Sequence, residues 1–147
     1  MKKSKSSSDL VSIIGYGTFI TRGIWKNKKN VELCIIKDYI RIFPEGNSFP
    51  VVLPSKGSSF YALKFDVTQD ELKNLDFYEG VSENYFKREF ILACNTNKEP
   101  FKAYLYVPTE IMIEKYNLSI EMDKNDKWKE EIKRFPEILK LFPELGT

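Results

Sequence analysis

The sequence predicts an α+β fold built on one curled or closed sheet. Strand-like apolar segments outnumber helical ones, one helix is inserted before the last predicted hairpin, and further helical segments follow at the C-terminal end. The 147 residues are 42% hydrophobic and 14% aromatic, which suits one domain with one core. We therefore expect a single domain over residues 10–147, preceded by a flexible basic and polar tail over residues 1–9.

The first half of the chain alternates strand-like runs with turns. The apolar run Leu10–Gly15 predicts a buried strand, and the partial alternation in Val31–Phe43 predicts a long, bent strand. The segment between them, Arg22–Lys29, is predicted as a polar loop. Prolines on both sides of Val51–Leu53 predict a short edge strand. Phe60–Val67 is predicted as a separate strand.

Capping signals define one helix in the middle of the chain. Thr68 and Glu71 have the spacing of a capping box, in which Thr68 is the N-cap and Glu71 the third helical residue. The helix is predicted to run to about Glu79, with Gly80 as its C-terminal stop.

The second half predicts a hairpin followed by helices. Tyr85–Ala93 and Phe101–Val107 read as two strands joined by the turn Asn95–Glu99. Short helices are predicted over Thr109–Tyr116 and Asp126–Phe135.

Charge and cysteine content narrow the range of partners. The formal charge of +2, with 30% charged residues, gives no case for a nucleic-acid partner. The longest apolar stretch is too short to span a bilayer, and the N-terminus lacks the apolar region of a signal peptide. We therefore expect a cytoplasmic protein with no membrane partner.

Cys34 and Cys94 form no C-x-x-C pair and are predicted as free thiols in buried strands.

The chain contains no histidine. This excludes Ser-His-Asp and Cys-His catalysis, as well as metal sites and proton shuttles that use histidine. If the protein is an enzyme, a carboxylate, a lysine or a tyrosine must transfer its protons.

The predicted helix places a carboxylate on its buried face. At ~100° per residue, Glu79 lies about 20° from Leu72 and about 40° from Leu75, which define the apolar stripe. Asp76 lies on nearly the same face. Burial, the helix dipole and the Asp76 charge would each raise the pKa of Glu79, so that it could exchange a proton near neutral pH. The alternative interpretation is that Glu79 turns into solvent at the helix end.

Two glycines interrupt the end of the first strand, in Gly15-Tyr16-Gly17-Thr18. Glycine permits a positive φ and leaves neighbouring backbone N–H groups uncovered. Such amides at a strand end form a donor site for a carboxylate or an oxyanion. The alternative is that the glycines only allow a tight turn. Neither phosphate-binding pattern, G-x-x-x-x-G-K-[ST] or G-x-G-x-x-G, is present.

Four segments, taken in order, resemble the γ-glutamylcyclotransferase-like family, which includes γ-glutamylamine cyclotransferases and the AIG2-like proteins of plants. Tyr16-Gly17-Thr18-Phe19 is similar to the family's YGT-L or YGS-N pattern after the first strand. Leu75–Val81 (LDFYEGV) is similar to its L-D-x-x-E-G-V pattern. Tyr85–Arg88 and Ala103–Tyr106 resemble two later strands of the family. The similarity spans roughly residues 11–107.

The resemblance implies a small mixed β-barrel with a helix inserted before the last hairpin and C-terminal helices packed outside. It also implies a reaction without cofactor or metal on a small-molecule γ-glutamyl substrate. The free α-amine of the γ-glutamyl group attacks its own γ-carbonyl, which gives 5-oxoproline and releases an amine or amino acid. By the resemblance Glu79 is the catalytic acid and base, and the backbone amides of Tyr16–Phe19 bind the glutamyl group.

Further residues carry weaker expectations. Tyr104 and Tyr106 point to the same face of their strand, and we assign Tyr106 to the substrate pocket, with barrel filling as the alternative. Arg88 is predicted to pair with a carboxylate or carbonyl beside the barrel. Phe19 stands where the family has Leu or Asn, and the segment ITRG that follows is one residue longer than the common spacing. Lys124–Thr147 has no counterpart in the family pattern and could form a lid, a dimer contact or a cover for the core.

Two other functions remain open at this point. The first is a catalytically silent AIG2-like module that binds a small carboxylate metabolite. The second is nucleic-acid binding through the lysines of residues 2–5 and 26–29, which would give a strongly salt-dependent affinity. No oligomeric state follows from the sequence.

Overall fold

The computed structural model describes residues 10–44, 49–122 and 126–147, and five strands in these ranges form one closed barrel. The predicted tail over residues 1–9 lies outside the described residues. The strands are β1 (Val11–Gly15), β2 (Lys29–Ile42), β3 (Val51–Val67), β4 (Phe86–Asn95) and β5 (Pro100–Pro108).

The order of strands around the barrel is β1-β3-β2-β4-β5. All neighbouring pairs are antiparallel except β1 and β5, which are parallel and meet where Ile13 lies beside Tyr104. The hairpin predicted from the sequence is β4–β5, with Phe86 opposite Pro108 and Cys94 opposite Pro100. The prediction of an α+β fold with a small mixed β-barrel is confirmed.

The break predicted between Val51–Leu53 and Phe60–Val67 is wrong, because both belong to β3. Tyr39 pairs with Pro54 and Lys37 with Ser59, so the residues between Pro54 and Ser59 bulge out opposite Asp38. The Asp38 carboxylate accepts a hydrogen bond from the Gly57 N–H at 2.9 Å, and Gly57 adopts φ +88°. This bond to the facing strand pairs one amide of the bulge, and the strand continues through Pro54 and Gly57.

Five helices surround the barrel in the described residues. They are α1 (Thr18–Thr21), α2 (Gln69–Tyr78), α3 (Glu110–Lys115), α4 (Asp126–Lys133) and α5 (Pro136–Leu141), with 3₁₀ turns at Ile24–Asn27 and Pro143–Gly146. Helix α2 lies between β3 and the β4–β5 hairpin, as predicted. The prediction of a plain polar loop over Arg22–Lys29 is wrong, because Trp25 in its 3₁₀ turn is buried and donates its indole N–H to the Ile20 carbonyl at 3.0 Å.

One core cluster joins the two ends of the described chain. Ile13 of β1 and Tyr106 of β5 belong to the same buried cluster as Trp128 of α4 and Leu145 near the C-terminus. Of the three roles left open for the C-terminal segment, the contacts of residues 126–147 fit a cover for the core.

Cys34 and Cys94 are free thiols on neighbouring strands. Cys34 pairs with Asn95 and Ile35 with Cys94, so the two thiols lie on opposite faces of the sheet. Cys34 is buried, as predicted, whereas Cys94 is only half-buried. No helix within the described ranges is long and apolar enough to cross a membrane.

Candidate active site

The sequence LDFYEGV encodes the C-terminal end of α2. The N–H of Val81 donates to the Asp76 carbonyl at 3.0 Å, and the N–H of Gly80 donates to the Phe77 carbonyl at 3.1 Å. These two bonds define a Schellman motif, in which Gly80 adopts the left-handed conformation at φ +70°. Glu79 is the C-cap, so the motif fixes where its backbone leaves the helix.

Burial makes Glu79 a weaker acid than an ordinary glutamate. Leu72 and Leu75 are buried as the helical spacing predicts, and Glu79 on the same face is half-buried. Burial in this apolar environment raises the pKa of Glu79 from 4.5 to about 7. The Asp76 charge and the helix dipole are also expected from the sequence to raise this pKa, but desolvation accounts for the shift. The raised pKa allows Glu79 to take up and return a proton near neutral pH.

Asp76, on nearly the same face of α2, is paired with two residues of the β4–β5 hairpin. Its Oδ1 accepts a hydrogen bond from the Tyr106 hydroxyl at 2.5 Å and lies 2.9 Å from Nε of Arg88. The guanidinium of Arg88 also packs over the Tyr104 ring, 4.8 Å from its centre. Arg88 therefore pairs with a carboxylate beside the barrel, as predicted, and holds α2 against the β4–β5 hairpin.

The glycines at the end of β1 are required for close packing rather than for positive φ. Gly17 has φ −144°, and neither Gly15 nor Gly17 is among the residues with positive φ. A Cβ on Gly17 would lie 2.8 Å from Cγ of Pro50, and a Cβ on Gly15 would lie 2.9 Å from Cβ of Phe19. The expectation of positive φ is thus wrong, whereas the need for glycine is met by these short distances.

The loop Tyr16–Phe19 presents uncovered backbone amides. The Gly17 carbonyl accepts the N–H groups of Ile20 and Thr21 at 2.9 and 3.0 Å, which starts the short helix α1. Among the described residues, no backbone or side-chain acceptor pairs with the N–H groups of Gly17, Thr18 and Phe19. These amides are available to an anionic or carbonyl group of a ligand.

Tyr16 is fixed at its side chain and at its backbone. Its hydroxyl donates to the Tyr106 carbonyl on β5 at 2.9 Å, and its own carbonyl accepts from Nε of Arg41 at 3.0 Å. Burial and the Glu79 charge raise the pKa of the Tyr16 phenol. Burial and the hydrogen bond to Asp76 raise the pKa of Tyr106, and the Glu79 charge adds to that rise. Both phenols therefore stay protonated at neutral pH and act as hydrogen-bond donors.

All residues predicted for the site line one cleft of about 430 Å³. Glu79 and Tyr106 contribute from α2 and β5, and Tyr16, Gly17, Thr18 and Phe19 contribute from the loop after β1. Tyr106 is both pocket-lining and almost fully buried, so the two roles considered for it are not exclusive. The alternative in which Glu79 turns into open solvent is not observed.

The cleft also contains residues that sequence reasoning missed. Its wall includes Arg22, Glu83 and Met112, and a group of aromatic residues contributes Phe49, Phe77, Tyr78, Tyr85 and Phe86. Phe77 is 84% exposed, so it is not part of the core. A signal was present in LDFYEGV, where Phe77 and Tyr78 fall off the leucine stripe of the helix.

The described residues contain no group of three or more carboxylate or thiol side chains placed to hold a metal ion. The cleft offers an ionisable carboxyl group with a pKa of about 7, four phenols, including those of Tyr16 and Tyr106, and a short run of free amides. Such a set can bind a polar acyl group and transfer protons at its carbonyl.

Comparison with protein families matches residues 14–130 to the family described as "Gamma-glutamyl cyclotransferase, AIG2-like". This range includes the loop after β1, helix α2 and the β4–β5 hairpin. The comparison with curated proteins gives no match.

Several solved structures share the fold at low sequence identity. A solution structure of an Arabidopsis thaliana protein is 18% identical with a TM-score of 0.65, and the alignment covers 92% of this chain and 82% of that one. An AIG2-like protein from Mus musculus is 14% identical with a TM-score of 0.60, over 80% of this chain and 88% of that one. A gamma-glutamyl cyclotransferase specific to glutathione from yeast is 10% identical with a TM-score of 0.59, over 92% of this chain and 89% of that one.

Proposed function

The chain belongs to the gamma-glutamyl cyclotransferase, AIG2-like family, and from this premise we propose that it is a γ-glutamyl cyclotransferase. It would convert a γ-glutamyl amine or peptide to 5-oxoproline and a free amine. The observation that carries the proposal is the position of Glu79, whose pKa is about 7, in one cleft with the free amides of Tyr16–Phe19.

The reaction needs no nucleophile from the protein, because nucleophile and electrophile belong to the same substrate. Glu79 removes a proton from the α-ammonium of the γ-glutamyl group, and the resulting amine attacks the γ-carbonyl carbon. A new carbon–nitrogen bond closes the five-membered ring, and the carbonyl oxygen becomes an oxyanion. When the oxyanion collapses, the bond to the leaving nitrogen breaks and Glu79 returns a proton to that nitrogen. The ring nitrogen, which still carries a second proton, loses it as the lactam forms, and the released amine takes up this proton and leaves as an ammonium ion.

The other groups of the cleft suit the remaining tasks. Backbone amides of Gly17, Thr18 and Phe19 are free to bind the glutamyl group or its developing oxyanion. Intramolecular attack can supply up to roughly 7–11 kcal/mol of the barrier, and one well-placed carboxylate adds roughly 10²–10⁴-fold. A chain without histidine can therefore perform this chemistry.

The test is turnover of a panel of γ-glutamyl amines and γ-glutamyl dipeptides, with 5-oxoproline detected by mass spectrometry. We expect at least one substrate to give 5-oxoproline with wild type, and Glu79→Gln to reduce turnover by about 10²-fold or more, the usual size of an acid–base contribution. Ligand affinity should change little, because the loop amides rather than Glu79 bind the glutamyl group. Wild-type turnover in Glu79→Gln would contradict the assignment of Glu79.

Affinity measured on the same preparations distinguishes the silent binding module. If wild type binds a γ-glutamyl ligand and neither protein releases 5-oxoproline, the chain is a binding module for a small carboxylate metabolite.

We also propose that residues 10–147 act as one domain, a view supported by the core cluster that joins Ile13 to Leu145.

A further inference from the structure

A buried guanidinium lies directly behind the substrate loop. Arg41 of β2 is 3% exposed. None of the ion pairs between described residues includes it. A charge taken out of water without an opposite charge is disfavoured unless other polar contacts replace its hydration. The contacts of Arg41 therefore indicate the role of this residue.

Those contacts are two carbonyls and two aromatic rings. Nε of Arg41 donates to the Tyr16 carbonyl at 3.0 Å, and an Nη donates to the Tyr61 carbonyl at 2.9 Å. The centres of the Phe60 and Trp128 rings lie 4.6 and 4.2 Å from its central carbon. Only a flat group with several donors can stack on rings while it donates to separate carbonyls. Burial lowers the pKa of Arg41 to about 9, which leaves it charged at neutral pH.

Trp128 connects Arg41 to the C-terminal end of the chain. It is fully buried, and its indole N–H donates to the Leu145 carbonyl at 2.8 Å. A second contact runs in parallel, because Trp25, next to α1, packs edge-on against Phe142 with ring centres 5.8 Å apart. Residues 126–147 thus contact two residues, Arg41 and Trp25, that themselves donate hydrogen bonds to the Tyr16 and Ile20 carbonyls on either side of the loop.

We propose that Arg41 is a positioning residue for the substrate loop Tyr16–Phe19, and that the C-terminal segment 126–147 holds Arg41 in place through Trp128. Arg41 does not line the cleft, so it acts on substrate only through the Tyr16 carbonyl. The kinetic part of this inference rests on the proposed cyclotransferase function, whereas its structural part does not.

A loop-positioning role and a general core role predict different results. Loss of a positioning contact loosens the loop amides and weakens substrate binding, while Glu79 stays in place because Asp76 and Arg88 hold α2 separately. Loss of a general core contact lowers the stability of the whole barrel and has no preference for the loop.

Hydrogen exchange tests the structural part without any substrate. In Arg41→Lys the charge is kept, but one ammonium cannot stack flat while it donates to two separate carbonyls. We expect the hydrogen-bonded amides of Ile20, Thr21 and Arg22, whose acceptors are the carbonyls of Gly17 and Thr18 in the loop, to exchange about tenfold faster than in wild type, while those of β5 stay within about twofold. The matched control is Lys64→Arg, a buried cation paired with Glu32 and Asp66 that does not line the cleft, and it should leave the amides of residues 20–22 unchanged.

Trp128→Phe tests the link to the C-terminal segment. It keeps an aromatic ring but removes the hydrogen bond to Leu145, so the amides of residues 20–22 should exchange faster than in wild type and slower than in Arg41→Lys. This variant also carries the test if Arg41→Lys does not fold. Unchanged exchange in Trp128→Phe would overturn the role of the C-terminal segment, and equal acceleration over the whole barrel would overturn loop positioning.

Steady-state kinetics test the functional part, with the γ-glutamyl substrate that wild type turns over best. Arg41→Lys should raise KM about tenfold and change kcat by less than about threefold, since binding rather than proton transfer is affected. A fall in kcat at unchanged KM would overturn the inference. If wild type turns over no substrate, the proposed function fails, and hydrogen exchange still decides the role of Arg41.

Discussion

Glu79 has a high pKa because its surroundings are apolar and not because another carboxylate lies near it. Asp76, three residues earlier, is paired with Arg88 at 2.9 Å. A carboxyl group whose pKa is raised by burial destabilises the folded state when it is ionised. The size of this destabilisation therefore depends on pH.

Glu79→Gln should therefore stabilise the protein at alkaline pH. The folded pKa of about 7 lies above the ordinary value of 4.5, so the folded state holds the proton more tightly than the unfolded state. Wild-type stability falls as the pH rises from about 4.5 to about 7, whereas Gln carries no such cost. We expect a gain of up to about 2 kcal/mol in the free energy of unfolding at pH 8, after allowance for partial solvent exposure.

Urea denaturation of both proteins between pH 4.5 and 8 measures this difference, which should grow with pH and level off above about pH 7. Glu83→Gln is the matched control, because Glu83 lines the same cleft and is exposed. A constant difference between Glu79→Gln and wild type across this range would contradict the raised pKa.

The same ionisation should shape the pH dependence of catalysis. Because Glu79 must be ionised to take the α-ammonium proton, kcat/KM should rise with pH and reach a plateau above the pKa of about 7. Initial rates at low substrate concentration, measured from pH 5 to 9, report the apparent pKa. The pH profile of the residual activity of Glu79→Gln should lack this rising limb. A wild-type profile that rises near the ordinary pKa of 4.5 would exclude Glu79 as the base.

Phe77 is an exposed aromatic residue that lines the cleft, and we propose that it contacts the leaving group of the substrate. It is 84% exposed, and removal of a partial ring contact costs about 1 kcal/mol. Phe77→Ser should therefore raise KM about fivefold for γ-glutamyl amines with an aromatic leaving group and leave KM unchanged for γ-glutamyl methylamide. Phe90→Ser is the control, because Phe90 is 59% exposed and lies on β4 away from the cleft wall. Equal effects of the two variants would remove Phe77 from the site.

Among the secondary-structure elements, helix α2, which carries Glu79, is held by a polar contact at its C-terminal half. Asp76 of α2 bonds to Arg88 of β4 and Tyr106 of β5, and both partners lie on the hairpin that follows the helix. The side chains of Asp76 and Arg88 are 22% and 29% exposed, so solvent screens this pair only in part.

Asp76→Asn keeps the shape of the side chain and removes its charge. We expect the free energy of unfolding to fall by about 1–2 kcal/mol, because charged hydrogen bonds that are partly shielded from water contribute this much. kcat should fall several-fold, since α2 no longer fixes Glu79. Urea denaturation and initial rates measure the two effects.

The control is Glu131→Gln, which removes a bond at 3.0 Å to Arg134, a residue 72% exposed on the surface. This variant should change the free energy of unfolding by less than about 0.5 kcal/mol. Equal losses in the free energy of unfolding for Glu131→Gln and Asp76→Asn would indicate that the Asp76–Arg88 pair stabilises the protein no more than an exposed surface pair does.

Elements with local signals could be predicted from the sequence. The capping box of Thr68 and Glu71 is present with both of its hydrogen bonds, at 3.2 and 2.8 Å, and Gly80 ends α2 in the left-handed conformation. Each signal acts within a few residues, so composition and spacing suffice to find it. The burial of Leu72 and Leu75 follows from the same short-range periodicity.

At the scale of the whole molecule, pairings between distant strands were beyond prediction. The continuous strand β3 depends on Asp38 of β2, which satisfies the bulge at Gly57, and no local pattern contains this contact. Arg41 sits between Ile40 and Ile42, and its charge alone gives no indication that two carbonyls and two rings enclose it. The candidate residues were found because family motifs mark them. The residues that hold them in position are brought next to them only when the barrel closes.

The parallel contact between β1 and β5 has a consequence for when the cleft forms during synthesis. Tyr16 and Tyr106, which join the two sides of the cleft, are 90 residues apart in the chain. A nascent chain released as far as Gly80 already contains the loop Tyr16–Phe19 and Glu79 but has no β5 to hold them together. Contacts of such long sequence separation form late and slow the folding of small barrels. Ligand capture by ribosome-bound chains should therefore begin only after β5 has left the exit tunnel.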